Sequence, residues 1–113
     1  MYPLFFIFTL KYLNMIVEYP ILESKGIIVN KNKYSVTVND TEIHVTKMVF
    51  EMLHFFISNI DKAITRDDFL NYVWKNEHVV QRTIDVHIKK LRDIVGKDKI
   101  ETLTGIGYIW KSN

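Results

Sequence analysis

The hydrophobic pattern of the chain changes from strand-like to helix-like near residue 46. In residues 26–45, a β-branched run at 27–29 and two stretches of period-two alternation, at 34–38 and 41–45, predict a small antiparallel meander with one buried face. The Asn39-Asp40 pair between the two alternating stretches is typical of a turn.

Two helical patterns follow, and a threonine opens each of them. Thr46 and Thr65 are candidate N-caps, because a threonine hydroxyl can accept a hydrogen bond from a free N–H of the first turn. Asp67 and Asp68 lie in the first turn of the second helix, where the helix dipole favours negative charge. The apolar face of the first helix comprises Val49, Phe50, Leu53, Phe56 and Ile57, and it fades at Ser58-Asn59. That of the second helix comprises Phe69, Leu70, Val73 and Trp74.

The third helical pattern has two different sides. At about 100° per residue, one narrow apolar stripe for the core is formed by Ile84, Ile88, Leu91 and Val95. A second side is formed by Thr83, Val86, His87 and Lys90. Arg82 and Lys89 lie between the two sides, and Gly96 is a C-terminal stop.

A strand, a glycine-containing turn and another strand then predict a C-terminal hairpin at 100–103, 104–107 and 108–110. The whole order predicts an α+β fold: a winged helix-turn-helix with an N-terminal antiparallel β-sheet, three helices and a C-terminal β-hairpin wing. A helix of this kind fits a DNA major groove, which is about 12 Å wide. A hairpin with a glycine tip can approach the neighbouring groove closely.

Three motifs resemble a known family, the C-terminal effector domain of OmpR/PhoB-type response regulators. The segment RTIDVHIKKLR at 82–92 resembles the recognition helix of that domain. The segment TRDDFL at 65–70, followed by Val73-Trp74, resembles its second helix, and TLTGIGY at 102–108 resembles its wing. The meander and first helix extend the resemblance back to Tyr19. We therefore divide the chain into an apolar extension at 1–18 and a winged-helix DNA-binding domain at 19–113.

The resemblance implies sequence-specific binding of double-stranded DNA by a cytoplasmic transcriptional regulator of a two-component system. It also implies a head-to-tail homodimer on direct repeats and contact with RNA polymerase through the loop at 75–81. The residues it assigns to DNA are Thr83, Val86, His87 and Lys90 in the major groove, Arg82, Lys89 and Arg92 near phosphates, and Thr102, Thr104 and Tyr108 in the wing.

The chain departs from the family pattern at several positions. Thr104 and Lys90 stand where arginine is common, and lysine forms the bidentate fork to guanine less well. Val49 replaces the usual glutamate of the first helix and so removes a capping box, and Lys75 stands where glycine is common. No receiver domain precedes the effector domain, which leaves a truncation and a stand-alone regulator both open.

The amino-acid composition excludes several kinds of functional site. The 113 residues contain no cysteine, which excludes disulfides, thiolate metal sites and thiol catalysis. The formal net charge is +2, but residues 75–113 carry eight basic and five acidic side chains. This modest positive excess in the last third is compatible with a polyanionic partner.

No enzymatic, cofactor or small-molecule site is expected. Asp67 and Asp68 are typical of a first helical turn, and Gly105 and Gly107 are not followed by the helix of a phosphate loop. His87 has no second histidine at helical spacing, so we expect it to contact DNA rather than a metal.

Three further residues receive supporting roles. Asp85 faces away from the second side of the third helix and is expected to orient Arg82 or Lys89. Trp74 and Trp110 are expected to pack in the core and wing.

The run at 2–10 is strongly apolar but shorter than the roughly 20 residues of a membrane span. Packing on this domain or a partner, an artefact with Met15 as the true start, and a membrane anchor stay open for it. The alternative function is a winged-helix interaction or oligomerisation module without strong DNA binding, acting through this apolar segment.

Overall fold

The computed structural model describes residues 18–75 and 77–113, and the apolar run at 2–10 lies outside them. The described part begins with a four-stranded antiparallel meander, ordered β1-β2-β3-β4. Its strands are β1 (Leu22–Ser24), β2 (Ile27–Asn30), β3 (Ser35–Val38) and β4 (Thr41–Ile43).

The register of this sheet directs one set of side chains to the core. Val29 lies opposite Val36, and both are fully buried together with Ile27. Asn39 and Asp40 form the β3–β4 turn with positive φ angles, as a two-residue hairpin turn requires. The predicted meander and its turn are therefore confirmed.

The limits of the meander differ from those expected. Strand β1 adds three residues before residue 26, and Leu22 pairs with Val29. Strand β4 ends at Ile43 rather than Val45, because residues 44–46 lead into the first helix.

Helix α1 (Lys47–Ile57) begins at the expected cap. The Thr46 hydroxyl accepts a hydrogen bond from the Val49 amide at 3.3 Å. The predicted apolar face is confirmed, because all of its members are buried: Val49, Phe50, Leu53, Phe56 and Ile57.

Helix α2 (Arg66–Tyr72) has a complete capping box. The Thr65 hydroxyl accepts from the Asp68 amide at 3.0 Å, and the Asp68 carboxylate accepts from the Thr65 amide at 2.9 Å. The helix ends before Val73 and Trp74, which the sequence placed on its apolar face. Both side chains are nevertheless buried just beyond its end.

Helix α3 (Gln81–Val95) precedes a second sheet, which has three strands where the sequence predicted a two-stranded hairpin. The hairpin strands are β6 (Ile100–Leu103) and β7 (Gly107–Trp110), and β5 (Ile64–Thr65) pairs with the outer side of β7. Gly107 permits this pairing, because a Cβ atom there would collide with the backbone of Ile64.

Aromatic side chains join the helices to both sheets. The Phe56 ring lies 5.0 Å from Phe69 and 6.2 Å from Trp110, measured between ring centroids. The Trp110 indole donates a hydrogen bond to the Ser24 hydroxyl at 2.9 Å, which links β7 to β1. Both tryptophans are buried, which confirms their expected packing role.

Candidate nucleic-acid interface

Helix α3 divides into a buried stripe and an exposed side, as its sequence predicts. Ile84, Ile88, Leu91 and Val95 are all at most 3% exposed. On the other side Val86 is 47% exposed, and Lys90 and the flanking Arg82 and Lys89 are also exposed. Thr83 and His87 are half-buried. This exposed side of α3 is the surface that a nucleic acid can reach.

The half-burial of His87 results from contacts within the protein. Its ring meets Trp74 edge-on, with centroids 5.1 Å apart. Its Nδ1 lies 2.8 Å from the Thr83 carbonyl oxygen. A carbonyl oxygen can only accept, so Nδ1 is the donor of this contact.

The sequence suggested that Asp85 orients Arg82 or Lys89, but in the structure its hydrogen-bond partners are Arg66 and Tyr108. Its Oδ1 atom accepts a hydrogen bond from Arg66 Nε at 2.8 Å and another from the Tyr108 hydroxyl at 2.6 Å. The reason is tertiary: the start of α2 and strand β7 both approach the side of α3 that carries Asp85.

These contacts shift the pKa values of Asp85 and Tyr108. The Tyr108 hydroxyl, followed by the Arg66 guanidinium, holds the pKa of the Asp85 carboxyl below its ordinary value. Burial, followed by the hydrogen bond to Asp85, raises the pKa of the Tyr108 hydroxyl. The carboxylate and the neutral phenol are therefore the stable pair at neutral pH.

Arg92 is bound within the wing. Its Nη2 donates to the Ile100 carbonyl oxygen and to the Thr102 hydroxyl, each at 2.8 Å, and its Nε donates to the same carbonyl at 3.2 Å. Its guanidinium carbon also lies 5.7 Å from the Tyr108 ring centroid. The family resemblance assigned Arg92, Thr102 and Tyr108 to the DNA. In the structure Arg92 contacts both of the other two; Tyr108 is only 5% exposed, whereas Thr102 is exposed.

The tip of the wing is exposed to solvent. Thr104, Gly105 and Ile106 are exposed, and the Ile106 amide donates to the Leu103 carbonyl across the turn at 2.9 Å. Gly105 has a φ of +78°, a conformation that side chains disfavour.

A surface hollow beside the exposed side of α3 brings Arg66 and Gln81 next to residues that the sequence analysis assigned to DNA. It is lined by Arg66, Gln81, Arg82, Asp85, Val86 and Lys89. Gln81 donates to the Asp67 carboxylate at 3.1 Å, which ties the start of α3 to α2. The sequence signal for Arg66 was its place in the first turn of the second helix, but only the packing of α2 on α3 brings it to this surface.

The loop before α3 exposes Lys75, Glu77, His78 and Val80, while residue 76 lies outside the described part. Within residues 18–75 and 77–113, no group of three histidine or acidic side chains is arranged to hold a metal ion. Over the same described residues, no helix is both long and apolar enough for a bilayer.

Comparison with known proteins places this surface in context. Residues 40–110 match the family described as "Transcriptional regulatory protein, C terminal". The chain is 37% identical over 94 residues to the response regulator ArlR of Staphylococcus aureus, covering 79% of this chain and 43% of ArlR. It thus spans less than half the length of that relative.

Solved structures share the fold. The Thermotoga maritima OmpR/PhoB homologue DrrB is 25% identical with a TM-score of 0.74, over 89% of this chain and 48% of DrrB. The DNA-binding domain of Klebsiella pneumoniae RstA, in complex with the RstA box, is 18% identical with a TM-score of 0.75, over 84% of this chain and all of that domain. That of Escherichia coli CpxR is 22% identical with a TM-score of 0.75, over 83% of this chain and 98% of that domain.

Proposed function

Since the chain belongs to the family of C-terminal domains of transcriptional regulatory proteins, of the OmpR/PhoB response-regulator type, we propose that it binds double-stranded DNA sequence-specifically and regulates transcription. The members of this family are DNA-binding domains of transcription factors rather than enzymes.

The observation that carries the proposal is the exposed side of α3. This helix buries a complete aliphatic stripe, and its other side presents Val86 and Lys90 with Arg82 and Lys89 at the flanks. Such a helix fits the major groove, which is about 12 Å wide. The RstA complex supports the same partner, because that protein has this fold and binds the RstA box.

We assign the base contacts to the centre of the exposed side. Val86 offers an apolar surface for the methyl group of thymine, and Lys90 offers a donor for guanine O6 or N7. Thr83 and His87 reach the groove only with their exposed edges, because both are half-buried. The predicted phosphate contacts are Arg82 and Lys89, joined by Arg66 from the surface hollow.

We assign the wing contact to its tip at Thr104 and Gly105, which the structure leaves exposed. Arg92, Thr102 and Tyr108 become supports of the wing in this proposal, because their polar groups already bind one another or Asp85. The tip lacks an arginine, so its contribution to affinity is a backbone and hydroxyl contact rather than a cation in the minor groove.

The proposal includes two protein contacts. The loop at 75–81 is the surface for RNA polymerase, as the family resemblance implies, and its residues Lys75, His78 and Val80 are exposed and accessible to a partner. A head-to-tail homodimer on direct repeats would place two copies of α3 in successive major grooves, about one helical turn apart.

The experiment is selection of duplexes of about 20 base pairs from a random library, followed by fluorescence anisotropy from about 50 to about 200 mM salt. We expect one enriched sequence and an affinity that falls steeply with salt. Absence of enrichment, or an affinity independent of salt, would contradict the proposal.

Three lysine variants locate the interface. Lys90→Ala should relax the base preference, because a base contact accounts for about 1–3 kcal/mol of discrimination. Lys89→Ala should weaken binding to all sequences equally and reduce the salt slope by about 0.9. Lys33→Ala is the matched control, because it removes an exposed lysine from the β2–β3 turn and should change neither quantity.

A further inference from the structure

We infer that Asp85 is a positioning residue that fixes the wing relative to α3, because one of its carboxylate oxygens binds α2 and β7 at once. This inference rests on the proposed function, since it concerns how the two DNA-contacting elements are held in one orientation. It assigns Asp85, Arg66 and Tyr108 a role in sequence selectivity that does not require Asp85 to contact DNA.

The geometry of the junction is compact. Asp85 Oδ1 accepts from Arg66 Nε at 2.8 Å and from the Tyr108 hydroxyl at 2.6 Å. Both hydrogen bonds are charge-assisted, a class that is stronger and more directional than bonds between neutral groups. A single oxygen atom of α3 therefore holds this helix at a fixed distance from the start of α2 and from strand β7.

The contact continues from Tyr108 to the other strand of the wing. The Tyr108 ring centroid lies 5.5 Å from the guanidinium carbon of Arg66 and 5.7 Å from that of Arg92. Arg92 in turn binds the Ile100 carbonyl and the Thr102 hydroxyl of β6. A continuous set of polar contacts thus connects α2, α3, β7 and β6.

The exposure and charge of these side chains indicate that the junction serves DNA binding and not stability alone. The side chains of Arg66 and Asp85 are 30% and 41% exposed, and an ion pair so accessible to water contributes little to stability. The Asp85 carboxylate also lies in the hollow with Arg82 and Lys89, where a negative charge repels phosphates. Electrostatics alone therefore predicts tighter DNA binding when Asp85 is removed, whereas positioning predicts weaker specific binding.

This difference in sign gives the test. Asp85→Ala is compared with Asp93→Ala, which removes one exposed negative charge from the same helix. Among the described residues, the Asp93 carboxylate has no hydrogen-bond partner. The probes are the duplex selected by the unaltered full chain and a scrambled duplex of the same composition, both measured by anisotropy.

We expect Asp85→Ala to bind the selected duplex about tenfold more weakly, the effect of losing hydrogen bonds to a charged group. Its affinity for the scrambled duplex should not fall, because non-specific binding depends on charge rather than on the orientation of the wing. Asp93→Ala should bind both duplexes slightly more tightly. Asp85→Asn retains an acceptor oxygen and should restore part of the selectivity.

A variant without a charge change completes the design. Tyr108→Phe removes only the hydroxyl and retains the ring between the two guanidinium groups, so it should lower selectivity with an unchanged salt slope. Thermal unfolding of each variant shows whether it is folded at the temperature of the binding measurements.

Two outcomes overturn the inference in distinguishable ways. If the unaltered chain selects a sequence but Asp85→Ala behaves like Asp93→Ala, the positioning role alone is wrong. If the unaltered chain shows neither selectivity nor salt dependence, the proposed function is wrong and the positioning role with it.

Discussion

Arg92 allows a specific prediction, because the family resemblance assigned it to a phosphate and the structure shows it bound to strand β6. We consider Arg92→Ala. The variant loses the hydrogen bonds to the Ile100 carbonyl and the Thr102 hydroxyl, and the contact with the Tyr108 ring. It therefore loosens the connection between α3 and β6 without opening a cavity in the aliphatic core.

The expected cost follows from these contacts. A hydrogen bond from a charged donor contributes about 1.5–3 kcal/mol, and a cation–π contact at an exposed site adds about 0.5–1 kcal/mol. Because Thr102 is exposed and water can replace its bond, we count only the hydrogen bond to the Ile100 carbonyl and the cation–π contact. At the lower end of each range, the free energy of unfolding should fall by about 2 kcal/mol. With a urea m-value of about 2 kcal/mol/M, the unfolding midpoint should fall by about 1 M.

Urea unfolding and the salt dependence of DNA binding together test this reasoning. Arg92→Ala should lower the midpoint and leave the salt slope unchanged. Lys89→Ala, a change at an exposed position of the same helix, should do the reverse: stability within about 0.5 kcal/mol and a slope reduced by about 0.9. An unchanged midpoint with a reduced slope for Arg92→Ala would refute the reasoning.

Three further predictions concern the scaffold. Gly107→Ala should lower the melting temperature strongly in a thermal scan, because its new Cβ would collide with the Ile64 backbone; an unchanged value would contradict the close approach of β5 and β7. Thr65→Ala should reduce the free energy of unfolding in urea by about 1 kcal/mol through loss of its cap, and no change would mean that the cap is replaced by water. Tyr108→Phe should raise the pKa of Asp85 towards its ordinary value of 3.8. Because the folded-state pKa is depressed, the stability advantage of the unaltered chain should be full above pH 3.8 and shrink as the pH falls below it; an advantage independent of pH would contradict the assignment.

The helices could be predicted because their periodicity and caps are local properties of the sequence. The two strands that were missed contain only three and two residues, too few to show an alternation. Only β5 has a distant partner, with Ile64 opposite Tyr108, whereas β1 forms a tight hairpin with the next strand, with Leu22 opposite Val29.

The limits of the sequence are clearest for the charged residues of α3. Helical periodicity correctly predicted which aliphatic residues are buried, but it did not separate Lys90, which is exposed, from Arg92, whose donors bind the wing. That distinction depends on how β6 and β7 fold back over the helix. The partner of Asp85 was missed for the same reason, since Arg66 and Tyr108 reach it only through tertiary packing.

The most direct test of the account is an NMR titration of the ¹⁵N-labelled chain with its selected duplex, following the backbone amides. We expect the largest shift changes along the exposed side of α3, from Arg82 to Lys90, and at the wing tip around Thr104 and Gly105, with small changes in β1–β4. Large changes confined to β1–β4 and α1, with α3 unaffected, would contradict the central claim that α3 enters the major groove.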